Sequence, residues 1–130
     1  RKLKSNIDYG MFLPIQKAAI TALTQDQSVV EETREQYQKR RDMLVEGFHK
    51  AGWEVASPKG TMFMWAAIPK TYANSEQFAI ALLQKTGVLV TPGSAFGTYG
   101  EGFVRIALVQ SEEVIEKALQ AVQKSGFFTS

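Results

Sequence analysis

Arg105 is the residue whose surroundings most need a chemical explanation. It sits in Phe103-Val104-Arg105-Ile106-Ala107-Leu108-Val109, a run that is otherwise apolar. A permanently charged guanidinium in such a run needs a partner once water is removed. The residues alone leave three partners open: an internal Asp or Glu, bulk water at an edge position, or the carboxylate of a ligand. A ligand carboxylate would be taken by the planar fork through two parallel charge-assisted hydrogen bonds. The segment Thr91-Pro92-Gly93-Ser94-Ala95-Phe96-Gly97-Thr98-Tyr99-Gly100-Glu101-Gly102 leads into this run. Its glycines suit either a long connection between strands or a backbone that approaches a ligand beside Arg105. It lacks the Gly-Lys-Ser/Thr ending and the following helix of a phosphate cradle.

Other groups carry less. His49 has no second imidazole at helical spacing and no organised carboxylate pair, so it reads as structural or exposed, and no metal site is expected. Met62, Phe63, Met64 and Trp65 read as packing, because a continuous apolar strand is what a covered sheet needs. The charged stretch from Glu31 to Asp42 reads as a solvated helix face. There is no cysteine, which removes disulfides and thiolate chemistry together and fits a reducing compartment; the expected location is cytoplasmic.

These residues need a scaffold. With 130 residues, 45% of them hydrophobic, the chain is expected to form a single domain with a real core. The net charge is +2, from 15 basic and 13 acidic residues. No Lys/Arg cluster is free of interleaved acids, so nucleic acid is not an expected partner. Apolar stretches such as Met62 to Ile68 fall far short of the roughly 20 residues a membrane helix needs, so no membrane partner is expected either. The chain opens at Arg1, inside what reads as ordinary globular sequence, as a piece of something longer would.

Phe12, Ile15, Ala19 and Leu23 recur at helical spacing and predict a helix from about Met11 to Thr24, with Pro14 in its first turn. Val30, Tyr37, Leu44, Phe48 and Ala51 line one face of a longer helix ending at Gly52. Trp53 to Ser57 and Thr61 to Ile68 read as strands joined by a turn at Pro58-Lys59-Gly60. A helix follows, capped by Asn74 and stopped by Gly87. Val88 to Thr91 and Phe103 to Val109 read as further strands, and a last helix runs from the N-cap Ser111 to Lys124 and Gly126. The order ααββαββα predicts an α+β fold, a small mixed sheet covered by helices.

Taken together, these segments resemble class I aminotransferases of the fold-type I pyridoxal-phosphate superfamily, over essentially the whole chain. Three stretches carry the likeness. The first is Lys4-Ser5-Asn6-Ile7-Asp8-Tyr9-Gly10 with Gln16 and Ala18-Ala19. The second is Pro58-Lys59-Gly60-Thr61-Met62-Phe63-Met64-Trp65. The third runs from Gly87-Val88-Leu89-Val90 through Pro92-Gly93, Phe96-Gly97 and Gly102 to Phe103-Val104-Arg105-Ile106.

The resemblance implies the C-terminal small domain of a longer enzyme that moves an amino group between an amino acid and a 2-oxo acid. It aligns Arg105 with the arginine that binds the substrate α-carboxylate. It sets Ser5 and Asn6 near a homodimer interface, Asn6 toward substrate and Ser5 toward the cofactor of the partner subunit, and it lets the turn at Gly60 pass close to substrate. The cofactor implied for the full-length enzyme is pyridoxal phosphate. The family's lysine that anchors it, in a Ser/Thr-x-x-Lys context followed by Gly-Trp-Arg, has no match here. Lys59, Lys70 and Lys85 lack that context and read as surface residues. No catalytic residue is therefore expected in this chain, and the chain by itself is expected to be inactive and to hold no cofactor. A lyase or decarboxylase on the same fold would keep Arg105, and a freestanding small-ligand or interaction module is the reading from a different class.

Overall fold

The computed structural model describes residues 2–8 and 10–129. Arg1 and Tyr9, the latter part of the first stretch of resemblance, lie outside the described residues. The chain divides into two compact units, residues 1–33 and 34–130, and each is described by itself.

The first unit holds α1 (Lys2–Asp8), α2 (Leu13–Thr24) and the start of α3 (Ser28–Lys50). Pro14 falls in the first turn of α2, where a missing N–H costs nothing. The expected start at Met11 moves to Leu13, because Phe12 is extended at ψ 126 and its carbonyl accepts the first helical bonds from Ile15 and Gln16. The apolar stripe read from the sequence is real, yet no residue of α2 is buried, and Phe12, Ile15 and Leu23 are all exposed.

The second unit is where the core lies. Its helices are the rest of α3, α4 (Ser75–Thr86) and α5 (Glu112–Ser125), and its strands are β1 (Phe63–Ala67), β2 (Thr91–Pro92) and β3 (Phe103–Ala107). Caps expected from the sequence form: the Asn74 side chain accepts from the Gln77 N–H at 2.9 Å, and Ser111 accepts from Val114 at 3.4 Å. Gly87 and Gly126 end their helices in the left-handed conformation. Leu44 and Phe48 from α3, Phe78 and Leu82 from α4, and Ile115, Leu119 and Val122 from α5 close over one face of the sheet, which supplies Met64, Ala66, Val104 and Ile106.

The fold is α+β as expected, with three corrections in detail. The sheet order is β1-β3-β2 and both pairings are antiparallel, so it is not mixed. β1 and β2 run the same way but never meet, because β3 lies between them. Trp53 to Ser57 is not a strand, so the order ααββαββα loses one strand and gains the helix α1. The alternation that suggested a strand is present, with Trp53 and Val55 buried and Glu54 and Ala56 exposed. Its hydrogen bonds are not those of a ladder: the Trp53 N–H donates to the Phe48 carbonyl at 2.9 Å, and side chains make others. The Trp53 indole donates to the Ala67 carbonyl at 2.9 Å, and Val55 O lies 2.9 Å from the His49 ring nitrogen. Trp53 also stacks on Phe128 with ring centroids 4.9 Å apart, which fixes the segment by aromatic packing. Finally, the strand expected at Val88 to Thr91 pairs only at Thr91 and Pro92. The ladder stops at Pro92, which has no N–H to donate.

Candidate functional site

Successive residues of a strand point to opposite faces, and helices cover only one face of this sheet. Met64, Ala66, Val104 and Ile106 are buried, whereas Phe63, Trp65, Phe103, Arg105 and Thr91 share the other, open face. This overturns the reading of Met62 to Trp65 as uniform packing: Met64 is fully buried, but Trp65 is 41% exposed and Met62 43%. A sheet with one open face requires alternation, not a continuous apolar run.

Arg105 stands at the centre of that face, directly opposite Trp65 on β1 and Thr91 on β2. Phe63 lies diagonally across the β1–β3 pair, within reach of a long side chain. The Arg105 guanidinium carbon sits 4.2 Å from the Phe63 ring centroid and 4.2 Å from that of Phe96. Among the described residues, no carboxylate or other acceptor takes a hydrogen bond from this guanidinium. The internal ion pair that the sequence left open is thus not formed. A cation held by two rings keeps its N–H fork available for a planar oxyanion.

The loop that brings Phe96 here is closely specified. It contains two short 3-10 turns, Gly93–Phe96 and Thr98–Gly100. A Cβ on Gly93 would fall onto the carbonyl oxygen of Gly100, and one on Gly100 onto that of Gly93, so the two backbones meet only because both residues are glycine. Glu101 ties the loop to the start of α4. Its carboxylate accepts from the Ser75 N–H at 2.7 Å, the Ser75 hydroxyl at 3.1 Å and the Gly102 N–H at 2.7 Å. Ser75 is fully buried, and its hydroxyl also accepts from the Ser94 N–H at 3.3 Å. The N–H of Gly102, followed by that of Ser75, holds the Glu101 carboxyl below the usual glutamate value. The loop therefore brings a ring, that of Phe96, against Arg105. Beside it, Trp65, Phe96, Tyr99, Gly100 and Phe103 line an open depression of about 380 Å³.

The remaining candidates divide. Gly60 is exposed three residues ahead of Phe63; a Cβ there would meet nothing within 4 Å, so the described fold makes no steric demand for glycine. Ser5 and Asn6 are exposed on α1, and the Ser5 hydroxyl donates to Lys2 O at 3.0 Å. Both belong to the first unit. Lys59, Lys70 and Lys85 are exposed, as expected. No group of three or more potential metal ligands occurs among the described residues. Phe63 and Phe96 are the neighbours of Arg105 that sequence reasoning missed. For Phe63 the signal was strand parity, since it shares a face with Arg105 across the β1–β3 pair; Phe96 comes from the loop and had no such signal.

This fold, with a guanidinium unpaired among the described residues on an open sheet face beside a Pro-Gly loop, belongs to a known class. The Aminotransferase class I and II family profile matches residues 2–122, and the chain belongs to that family. It is 46% identical over 123 residues to the LL-diaminopimelate aminotransferase of Moorella thermoacetica, covering 95% of this chain and 31% of that protein. It is 47% identical over 124 residues to a glutamate-pyruvate aminotransferase of Escherichia coli, covering 94% and 30%. Among solved structures, the aspartate aminotransferase of Thermus thermophilus with maleate superposes at a TM-score of 0.79 and 30% identity, covering 95% of this chain and 32% of that one. The chain spans about a third of the length of the curated relatives it matches.

Proposed function

We propose that this chain is the C-terminal small domain of a pyridoxal-phosphate-dependent aminotransferase and that Arg105 grips the substrate carboxylate. The observation that carries the reading is the Arg105 guanidinium itself, held at 4.2 Å by two aromatic rings and paired with no acceptor among the described residues. An amino acid and a 2-oxo acid share a carboxylate next to the reacting carbon, so one fork serves both half-reactions. The Thermus relative was solved with maleate, a dicarboxylate, which is the ligand chemistry such a fork takes.

Pyridoxal phosphate, when bound, supplies the electron sink for the reaction. One guanidinium with aromatic neighbours suits a carboxylate, so the cofactor's anchor and phosphate site are assigned to the rest of the longer protein, with Ser5 reaching it from a partner subunit. The work of this chain is orientation. Two bonds from Arg105 fix the carboxylate, and with it the direction of the neighbouring C–H bond, before any proton moves. Gly60 leaves room for substrate at the approach to β1, and Asn6 contributes across a homodimer interface. The cytoplasmic setting read from the cysteine-free composition belongs to the same proposal. For membranes the finding is narrower: no described helix is long and apolar enough to cross one.

The test is Arg105→Ala in the full-length protein. Transition-state stabilisation of about 3 to 5 kcal/mol should be lost from kcat/KM, as when one partner of a desolvated charge pair is removed, with the cofactor's absorbance unchanged. Near-normal kcat/KM would remove the assignment.

A further inference from the structure

An arginine on an open sheet face has two ordinary fates, solvation or pairing with an acid. Arg105 is half-buried, pairs with no acid among the described residues and lies against two rings. Those rings differ in origin. Phe63 arrives from the adjacent strand as a consequence of register. Phe96 arrives from a loop that the Gly93–Gly100 backbone contact draws together and the Glu101–Ser75 hydrogen bonds tie to α4. Burial does not account for it, since Phe96 remains 46% exposed and lies outside the core cluster. Its ring also meets Trp65 edge-on, with centroids 5.4 Å apart at 74°, which fixes its orientation from the side away from the loop.

We propose that Phe96 is a positioning residue: its ring holds the Arg105 guanidinium in the orientation in which the N–H fork meets a substrate carboxylate. The proposal rests on the carboxylate reading of Arg105. A long cationic side chain that must be ordered at the moment of binding weakens that binding. A ring already stacked on it removes most of that ordering step while leaving the N–H donors free. The contribution is to ground-state and transition-state binding alike, so it belongs in KM.

The experiment compares Phe96→Leu, Phe96→Tyr, Arg105→Ala and the double variant Phe96→Leu/Arg105→Ala in the full-length holoenzyme. Phe96→Leu should raise KM for the amino-acid substrate by about 3- to 30-fold, the range a cation–π contact spans, with kcat within about twofold and the thermal midpoint and cofactor spectrum unchanged. Phe96→Tyr keeps a π face and should restore KM, which lost apolar volume alone would not require. In the Arg105→Ala background, Phe96→Leu should change kcat/KM no further. If Phe96→Leu does not fold, the same comparison is made with Phe96→Met. Wild-type KM in the Leu or Met variant, a loss confined to kcat, failure of Tyr to restore KM, or an equal loss in both backgrounds would overturn the positioning role while leaving the carboxylate reading intact. Normal kcat/KM in Arg105→Ala alone would instead overturn the carboxylate reading, and this proposal with it.

Discussion

Met64 and Trp65 are neighbours in β1, yet Met64 is fully buried and Trp65 is 41% exposed. The same division runs along β3 between Val104, also fully buried, and the half-buried Arg105. One face of the sheet is closed by three helices and carries only apolar groups. The other keeps a guanidinium, three strand residues with aromatic rings and a phenylalanine delivered by a loop. The two faces share every backbone hydrogen bond of the sheet, so rigidity generated on the closed face is passed to the open one. A binding group built on strands is held more closely than one built on loops. The lesson is a separation of labour between alternate residues of the same strands, and it can be broken by experiment.

The largest expected effect is on the closed face. Met64→Ala should cost about 2 to 5 kcal/mol of stability by leaving a cavity in the core, read from denaturant unfolding of the full-length protein, while the folded fraction keeps wild-type KM. A raised KM with unchanged stability would erase the distinction between faces. Gly93→Ala comes next, because its Cβ meets the Gly100 carbonyl. It should cost about 1 to 3 kcal/mol and, by displacing the loop that carries Phe96, also raise KM. It is the variant for which the two readouts should move together.

Glu101→Gln sharpens the comparison through pH. The Gly102 and Ser75 N–H groups depress the folded-state pKa of Glu101, so its contribution is present above the unfolded-state pKa and is lost as pH falls through the lower folded value. The wild type should have the higher thermal midpoint at neutral pH, and the gap should close as the solution is acidified below the ordinary glutamate range. A gap independent of pH would mean that the carboxylate charge is not what ties the loop down. The smallest effect is expected away from both faces. Lys39 and Glu112 lie 2.7 Å apart but are 63% and 42% exposed, so Lys39→Ala should shift stability by no more than about 1 kcal/mol.

Much of this division was legible in the residues, and where it was not the reason is physical. Helix caps at Asn74, Ser111, Gly87 and Gly126 are local signals, and they formed where the sequence put them. The charge of Arg105 within an apolar strand was equally local. Its neighbours were not, because Phe63 and Trp65 join it only through the β1–β3 register, which pairs residues some forty positions apart. Phe96 depends on two glycines that meet across a loop, and no periodicity announces that. Trp53 to Ser57 misled because alternate burial is shared by strands and by extended segments whose side chains make the bonds. In α2 the amphipathic stripe was read correctly from its spacing, but spacing says nothing of what covers it.

Arg105 is assigned here to ligand binding and not to the stability of the fold. Binding of maleate to the full-length holoenzyme, measured in parallel with the thermal midpoint for wild type and Arg105→Ala, tests it most directly. Arg105→Ala should lose about two orders of magnitude or more in affinity with a midpoint close to that of the wild type. Equal affinity in the two proteins, or a midpoint that collapses while affinity in the folded fraction persists, would contradict it.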